Sequence, residues 1–546
     1  MKNIMRLTMA LIFCVTLILC LTPYASAESG TWSNLNWTLD DTGQLTISGS
    51  GNMDNFYNWS TTAWCSQKNA IKTVVIESGV TSIGNYAFSN CRNLTSVIIG
   101  KNISRIGSSV FTNCDELNNI SVDSANLTYH DRNGVLFNSN TNEIVCFPAA
   151  RSGSYFIPND VKSIGRNAFD SCRKLTSVTI PDSVTNIGYW AFNCCYGLTS
   201  VTIPDSVTTL DDGVFCNCGG LSNVTIGANV NSIGEDIFGA CGRLTNIYVN
   251  PANASYHDRD GVLFKTNEKE IVCFPCGRSG AYIIPNDVKS IGKYAFSGCG
   301  ISSITIPGSV TKIGERAFYV CTELTSIIIP DSVTSIEYGA FDACIKLTSV
   351  TIPNGVTNIP EWAFSECRSL KSVTIPDGVA SIGRYAFQVC EELTSVIIPD
   401  SVKNIGTGAF QGCSNLEDVY YNGTQEQWSQ ISIGSNNTPL TDAKKHYVYE
   451  WLQPDFILPV ALTEIGEEAF SGGAFTYVKL SESCVKIGPN AFAGCPNLKY
   501  ISIPNTKAEI DEDAFGNLTG LTIFGKSGST AQTYAQAHSF TFIPTT

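Results

Sequence analysis

Hydrophobic and polar positions in this chain repeat about every 23 residues from Ile71 to Leu521. In the stretch Thr176 to Cys195, Val178 and Ile180 alternate with Ser177 and Thr179. A period of two predicts a short strand with one buried face. Pro181 ends it, having no N–H for the ladder. Asp182-Ser183 supplies turn chemistry, after which Val184 and Ile187 point inward again. Ala191, Phe192 and Cys195 then follow at the spacing of one helical turn.

The Phe of this unit returns at 88, 111, 169, 192, 215, 238, 296, 318, 341, 364, 387, 410, 470, 492 and 515. Five residues before it stands Ile in every unit but one, where Leu210 replaces it. Four before it stands Gly in most units, replaced by Asp211, Glu337, Pro360 and Asp511. Proline holds φ near −65°, so this Gly marks a bend needing a small residue, with no obligatory left-handed backbone. A period in the twenties means that no unit buries enough by itself and that each leans on its neighbours. The predicted fold is a repeat solenoid: an arc of about fifteen coils, mostly short parallel strands with single helical turns, hairpin inserts and end caps.

Three steps between the Phe markers are longer. Two carry matching inserts near 123–157 and 249–284, reading TYHDRNGVLFNSNTNEIVCFP from Thr128 and SYHDRDGVLFKTNEKEIVCFP from Ser255. GVLF and EIVCFP around a polar turn predict a hairpin. Tyr155-Phe156-Ile157 and Tyr282-Ile283-Ile284 resume the coil strand. The third long step holds a segment at 420–453 that interrupts the repeats 71–419 before the final repeats 454–519. It contains a short helical pattern at Thr424–Ile431. Residues 28–70 predict a capping hairpin from Trp37-Thr38-Leu39, a polar turn and Leu45-Thr46-Ile47. Residues 520–546 predict a C-terminal cap with a helix from Ser529 to Ala537.

Residues 1–27 carry Lys2, Arg6, an apolar run Leu7–Leu21 and a small-residue site Ala25-Ser26-Ala27, the pattern of a secretory signal. No later run is apolar enough to span a membrane, so no membrane insertion is expected after signal cleavage. Without Lys2 and Arg6 the formal net charge goes from −14 to −16, which argues against nucleic acid or an anionic membrane as partner. Most of the 22 cysteines stand three residues after the marker Phe, as in Cys195 and Cys218. Gly473 and Leu518 fill the same slot elsewhere. A slot that accepts Gly or Leu predicts buried free thiols acting as small hydrophobes; bridges between neighbouring coils are the alternative. Cys65, Cys146, Cys273, Cys276 and Cys484 lie off this ladder and are the better bridge candidates.

The unit VTIPDSVTSIGxYAFxxCxxLTS resembles the BspA-like leucine-rich repeat family, abundant in secreted and surface proteins of host-associated bacteria and some protozoan parasites. The DGVLF…CFP insert, the YYNGTQEQW…HYVY segment and the GKSGSTAQTYA ending are similar to that family too. The resemblance implies parallel strands lining one curved face, and roles in adhesion and in binding host-matrix or partner-cell proteins. It implies no catalytic residues and no cofactor.

Outward strand positions form two columns. Ser177, Ser200, Ser349 and Ser372 belong to one; Thr179, Thr202, Thr351 and Thr374 to the other, with Ile98, Ile328 and Ile397 among them. They are the candidate binding face for an extracellular protein or, alternatively, a glycan. Two residues before the marker Phe, the aromatics Tyr86, Trp190, Tyr294, Trp362 and Tyr385 share a slot with Arg316 and Glu468 and are expected to be exposed. His130 and His257 lie beside Asp131 and Asp258, but no nucleophile is identifiable next to them. Asp258-Arg259-Asp260-Gly261 and Cys273-Phe274-Pro275-Cys276 are too incomplete to hold a metal. The expectation is a secreted, non-enzymatic binding module without cofactor or metal, possessing either protein or glycan ligands; nothing in the sequence sets its oligomeric state.

Overall fold

A computed structural model describes residues 28–447 and 456–545. The signal segment 1–27 lies outside the described residues, as do Val448 and Tyr449. The chain divides into two compact units, one ending at Leu324 and the other beginning at Thr325.

In the first unit each coil carries two short strands. Ser200–Thr202 pairs in parallel with Asn223–Ile226, and that strand with Asn246–Val249. On another side Ser163–Ile164, Asn186–Ile187, Thr209–Leu210 and Ser232–Ile233 form a second parallel ladder. Leu175, Val178, Ile180, Val184, Ile187, Ala191, Phe192 and Cys195 are all buried. The marker Phe side chains stack along the core, with Phe192 at 4.7 Å from Phe169 and 5.2 Å from Phe215.

The segment around Phe192 is a run of reverse turns where the spacing predicted a turn of helix. Ala191 N–H donates to Gly188 O and Cys195 N–H to Phe192 O, three residues back in each case. Between them Trp190 and Cys194 have left-handed backbone, φ 53° and 59°. Alternating hand turns successive N–H groups toward the next coil, where they find partners. Trp190, Phe192 and Cys194 N–H donate to Asp212, Val214 and Cys216 carbonyls at 3.1, 2.9 and 3.0 Å. A helical turn would have spent those donors within its own coil.

The recurring bend glycines Gly188 and Gly383 have no positive φ, in keeping with Pro360 in the same slot. What requires a small residue is proximity. A Cβ on Gly383 would lie 2.5 Å from the Glu361 nitrogen of the preceding coil.

The inserts contribute more than hairpins. Val135–Asn138 pairs antiparallel with Glu143–Cys146, which then joins Ser163–Ile164 in parallel. Gly153–Phe156 pairs with Leu175–Thr179, and Phe147 stacks on Phe169 at 5.0 Å. Each insert is therefore an added coil bearing a lateral hairpin, so the coils outnumber the fifteen Phe markers. The hairpin turns, Asn133-Gly134 and Asp260-Gly261, have positive φ at both residues, the geometry that matches strand twist.

At the N-terminal end Leu35–Leu39 and Gln44–Gly49 are antiparallel, and Gln44–Gly49 pairs in parallel with Thr73–Ile76. Trp64 stacks on Phe88 at 5.6 Å and takes the place of a marker Phe. In the second unit the segment expected to interrupt the repeats first extends them by a coil; among the described residues both ladders then end, and the final repeats form sheets of their own. Asp418–Tyr421 and Lys444–Tyr447 continue the ladder of Ser372–Thr374 and Ser395–Ile398. Helix Gln425–Ser429 is held by a reciprocal cap between Thr424 and Gln427. The buried Asn437 side chain accepts from Phe410 N–H and donates to Gly406 and Gly434 carbonyls, replacing main-chain stacking bonds. After Thr522–Gly525, helix Thr530–Ala537 buries Ala531, Tyr534 and Ala535, and Thr541–Pro544 closes the sheet in parallel.

The thiols have a role beyond filling space. Cys195, Cys218 and Cys241 donate to the carbonyls of Phe169, Phe192 and Phe215 in the preceding coil, each at 3.1 Å. Burial raises all three thiols well above their ordinary range. All cysteines among the described residues are free, including Cys65, Cys146, Cys273, Cys276 and Cys484, which were expected as bridge partners. Cys276 in fact joins the ladder: it donates to Phe238 O at 3.7 Å, and the equivalent residue of the other insert is Ala149.

Asp236 illustrates how this stacking tunes a side chain. It is partly buried, has left-handed backbone at φ 50°, and burial pushes its carboxyl up to about 6. An acid raised in this way favours the fold while protonated: its contribution is complete below about pH 4 and is lost as pH rises through 6. Asp236→Asn is expected to raise stability by about 2 kcal/mol at pH 8, because asparagine is uncharged. At pH 4 only the small left-handed preference of asparagine should remain. Thermal unfolding of both proteins at the two pH values checks this.

Candidate functional site

The outward strand positions of the first unit surround a shallow hollow of about 520 Å³. Alternation along each strand sends Val178, Val201 and Val224 inward and leaves Thr179, Thr202 and Thr225 as its floor. Ser177 and Ser200 line it, and Ser177 donates to Ser154 Oγ at 2.8 Å. Asp182, Asp205 and Asn250 form the rim. Asp205 Oδ1 accepts from Ala228 N–H at 2.6 Å and from Asn250 Nδ2 at 3.3 Å, which fixes that edge.

Two exposed aromatics belong to the same row and were missed in the sequence. Phe156 pairs with Thr179 in register and is 73% exposed. Tyr248 pairs with Thr225 and is 48% exposed. The signal was available: Tyr155-Phe156-Ile157 and Ile247-Tyr248-Val249 put an aromatic in the slot that holds Thr elsewhere.

Ser349, Thr351, Ser372 and Thr374 lie in the second unit and are exposed, so the eight candidate positions fall into two groups. Beside them Ile328 is exposed, whereas Ile397, expected to face outward with it, is buried in a cluster with Tyr477, Phe524 and Ile543.

The aromatic column does not present free rings. Only Trp190 is exposed; Tyr86, Tyr294, Trp362 and Tyr385 are half-buried. The left-handed backbone at this slot, with φ from 53° to 60°, lays the ring along the stack. Trp190 covers Gly213, where a Cβ would come 2.3 Å from the indole, and Tyr385 covers Gly408 in the same way. Trp362 packs against Tyr385 with ring centres 4.8 Å apart.

The hairpin brings His130 Nδ1 to 2.8 Å from Ser139 Oγ, a hydroxyl neighbour the sequence did not reveal because nine residues separate the two. The other imidazole nitrogen accepts from Arg132 Nε at 3.1 Å, and Asp131 is occupied by Val122 N–H. No carboxylate therefore orients this His toward a nucleophile, as acyl-transfer chemistry requires. His257 pairs with Thr266 Oγ1 at 3.1 Å in the second insert. Among the described residues no group of three or more His, Cys, Asp or Glu side chains gathers as a metal site would require.

The repeat text and this coil geometry agree with a known family, described as BspA type leucine-rich repeat region (6 copies), which matches residues 61–152, 145–259, 273–350, 334–436 and 445–542. The chain belongs to the BspA-type leucine-rich repeat family. Solved structures similar to this chain include a leucine-rich cell surface protein of Faecalibacterium prausnitzii, 28% identical over 74% of this chain and 98% of that one, with a TM-score of 0.45. A leucine-rich repeat protein of Eubacterium ventriosum is 24% identical over 76% and 94%, TM-score 0.45. The pneumococcal vaccine antigen PcpA is 16% identical over 95% and 99%, TM-score 0.37. No curated protein matches the sequence. Leucine-rich repeat proteins of this family are typically non-enzymatic. No helix among the described residues is long and apolar enough to cross a membrane.

Proposed function

We propose that this BspA-type protein is a secreted binding module, working outside the cell or at its surface, that adheres to host-matrix or partner-cell proteins through the strand face of its first unit. The observation that carries this reading is the hollow itself: a Ser–Thr floor on backbone-paired strands, in a row with exposed Phe156 and Tyr248. Exposed aromatics beside a rigid polar floor are what protein interfaces use as anchors. A glycan ligand would stack on rings, and the row between Phe156 and Tyr248 holds only threonines, so a protein is the better occupant.

The test is surface plasmon resonance of the whole secreted chain over immobilised matrix proteins. Thr179→Glu with Thr202→Glu should weaken capture at least a hundredfold, because both side chains are exposed and the hollow already carries Asp182 and Asp205. The fold should be undisturbed, as exposed substitutions usually are within about 0.5 kcal/mol. Undiminished capture by the double variant would move the binding site elsewhere.

A further inference from the structure

The two inserts are near copies, yet one differs at a place where chemistry gathers. In the second, His257, Arg259, Thr266, Lys269 and Asp287 line a hollow of about 310 Å³, at the small end of the range for ligand pockets. Arg259 donates through both Nη atoms to Asp287, each at 2.7 Å, and this holds the Asp287 carboxyl down to about 2, fully ionised. The His257 ring stacks on Phe264 at 5.5 Å, which fixes its plane.

In the first insert the corresponding Arg132 also clamps a carboxylate, that of Asp160, but its Nε donates to His130 Nε2. In the second insert Nε of Arg259 and Nε2 of His257 have no hydrogen-bond partner among the described residues. The second difference is Lys269, which stands where the first insert has Asn142. Both have left-handed backbone, φ 50° and 52°. Asparagine suits that conformation and lysine does not, so this lysine is not explained by its turn. It makes no ion pair among the described residues and lines the hollow.

The hollow thus combines positive charge, from Lys269 and the unpartnered Nε of Arg259, with an ionised acceptor, Asp287. A bare phosphate spreads charge over all its oxygens and would set some of it against Asp287, and a neutral sugar would bring no anion to Lys269 and Arg259 Nε. A ligand with several hydroxyls and one carboxylate satisfies both. We propose that this hollow binds a hexuronate ring, free or at the end of a glycan chain, with Lys269 and Arg259 Nε on its carboxylate and Asp287, Thr266 and His257 on its hydroxyls. This site is separate from the strand face and does not depend on the protein-binding reading.

The experiment is calorimetric titration of the whole secreted chain with glucuronate, with a glucuronate-terminated disaccharide, with glucose and with inorganic phosphate. Glucuronate should bind at least tenfold more tightly than glucose or phosphate, and Lys269→Asn should weaken it at least tenfold. That variant copies the first insert, so its folding is not in question. Binding of the disaccharide alone supports the site and assigns it to terminal glycan residues. The proposal is overturned if neither acid sugar binds, if glucose or phosphate binds as well, or if Lys269→Asn changes nothing. Thr179→Glu with Thr202→Glu should leave this titration unaltered, which separates the two proposals.

Discussion

Phe192→Ala is expected to destabilise the first unit by about 4 kcal/mol and to loosen it locally. The magnitude follows from deleting a fully buried aromatic, for which about 3–5 kcal/mol is usual. Phe192 is inaccessible to solvent and stacked on both sides by Phe169 and Phe215. Its neighbours cannot collapse into the gap, because their carbonyl and N–H groups are fixed by hydrogen bonds from coil to coil. In a linear stack each coil touches only the next, so damage should stay near its origin. Hydrogen exchange should show protection lost around residues 169–215 and largely kept near Phe296 and Phe318. A cost under about 1 kcal/mol, or protection lost evenly along the unit, would show that the Phe stack is not what holds neighbouring coils.

The second large effect is a contrast between two glycines in one slot of the repeat. Gly383→Ala should destabilise by about 2–3 kcal/mol, the usual range for forced overpacking. Gly466→Ala should be neutral or stabilise by about 0.5 kcal/mol through the unfolded chain. Neither has positive φ, so alanine is conformationally acceptable at both. At Gly383 the new Cβ would meet main chain, the Glu361 nitrogen at 2.5 Å and the Pro360 carbonyl carbon at 2.6 Å, and main chain cannot swing away. At Gly466 nothing among the described residues lies within 4 Å. Chemical denaturation of both variants tests the sign as well as the size. If both lost or both gained stability, close approach between coils would not be the reason for glycine here.

Much of this architecture is written in local pattern. The two-residue alternation of Val178 and Ile180, the stop at Pro181, and the recurring Ile and Phe mark inward positions, nearly all of them buried; Ile106, Ile233, Phe470 and Ile510 are half-buried. The Asn133-Gly134 and Asp260-Gly261 turns announce their hairpins because few other residue pairs accept two positive φ values in succession. Other features were harder to read. The slot of Trp190 also holds Tyr, Arg and Glu, which mask the left-handed backbone that Asn167, Gly213, Gly339, Gly408 and Asn490 signal in the same slot. That conformation is imposed by hydrogen bonds to the following coil, which over-determine it. The thiol bonds to Phe carbonyls were equally hidden, since a slot shared with Gly473 and Leu518 looks merely small or apolar. The added coil at 418–447 was obscured because Asn437 does with a side chain what other coils do with main chain.

The candidate sites divide along the same line. The Ser–Thr columns follow from alternation alone, because a strand's side chains must point to opposite faces. Which of them face a hollow, and that Phe156 and Tyr248 stand in its row, depends on register between strands tens of residues apart. The same holds for the grouping of His257, Lys269 and Asp287. A periodic sequence dictates what every coil buries, since burial is a property of each residue's own neighbours in the strand. What gathers on the outside is set by stacking, since only there do residues remote in the chain come within reach of one ligand.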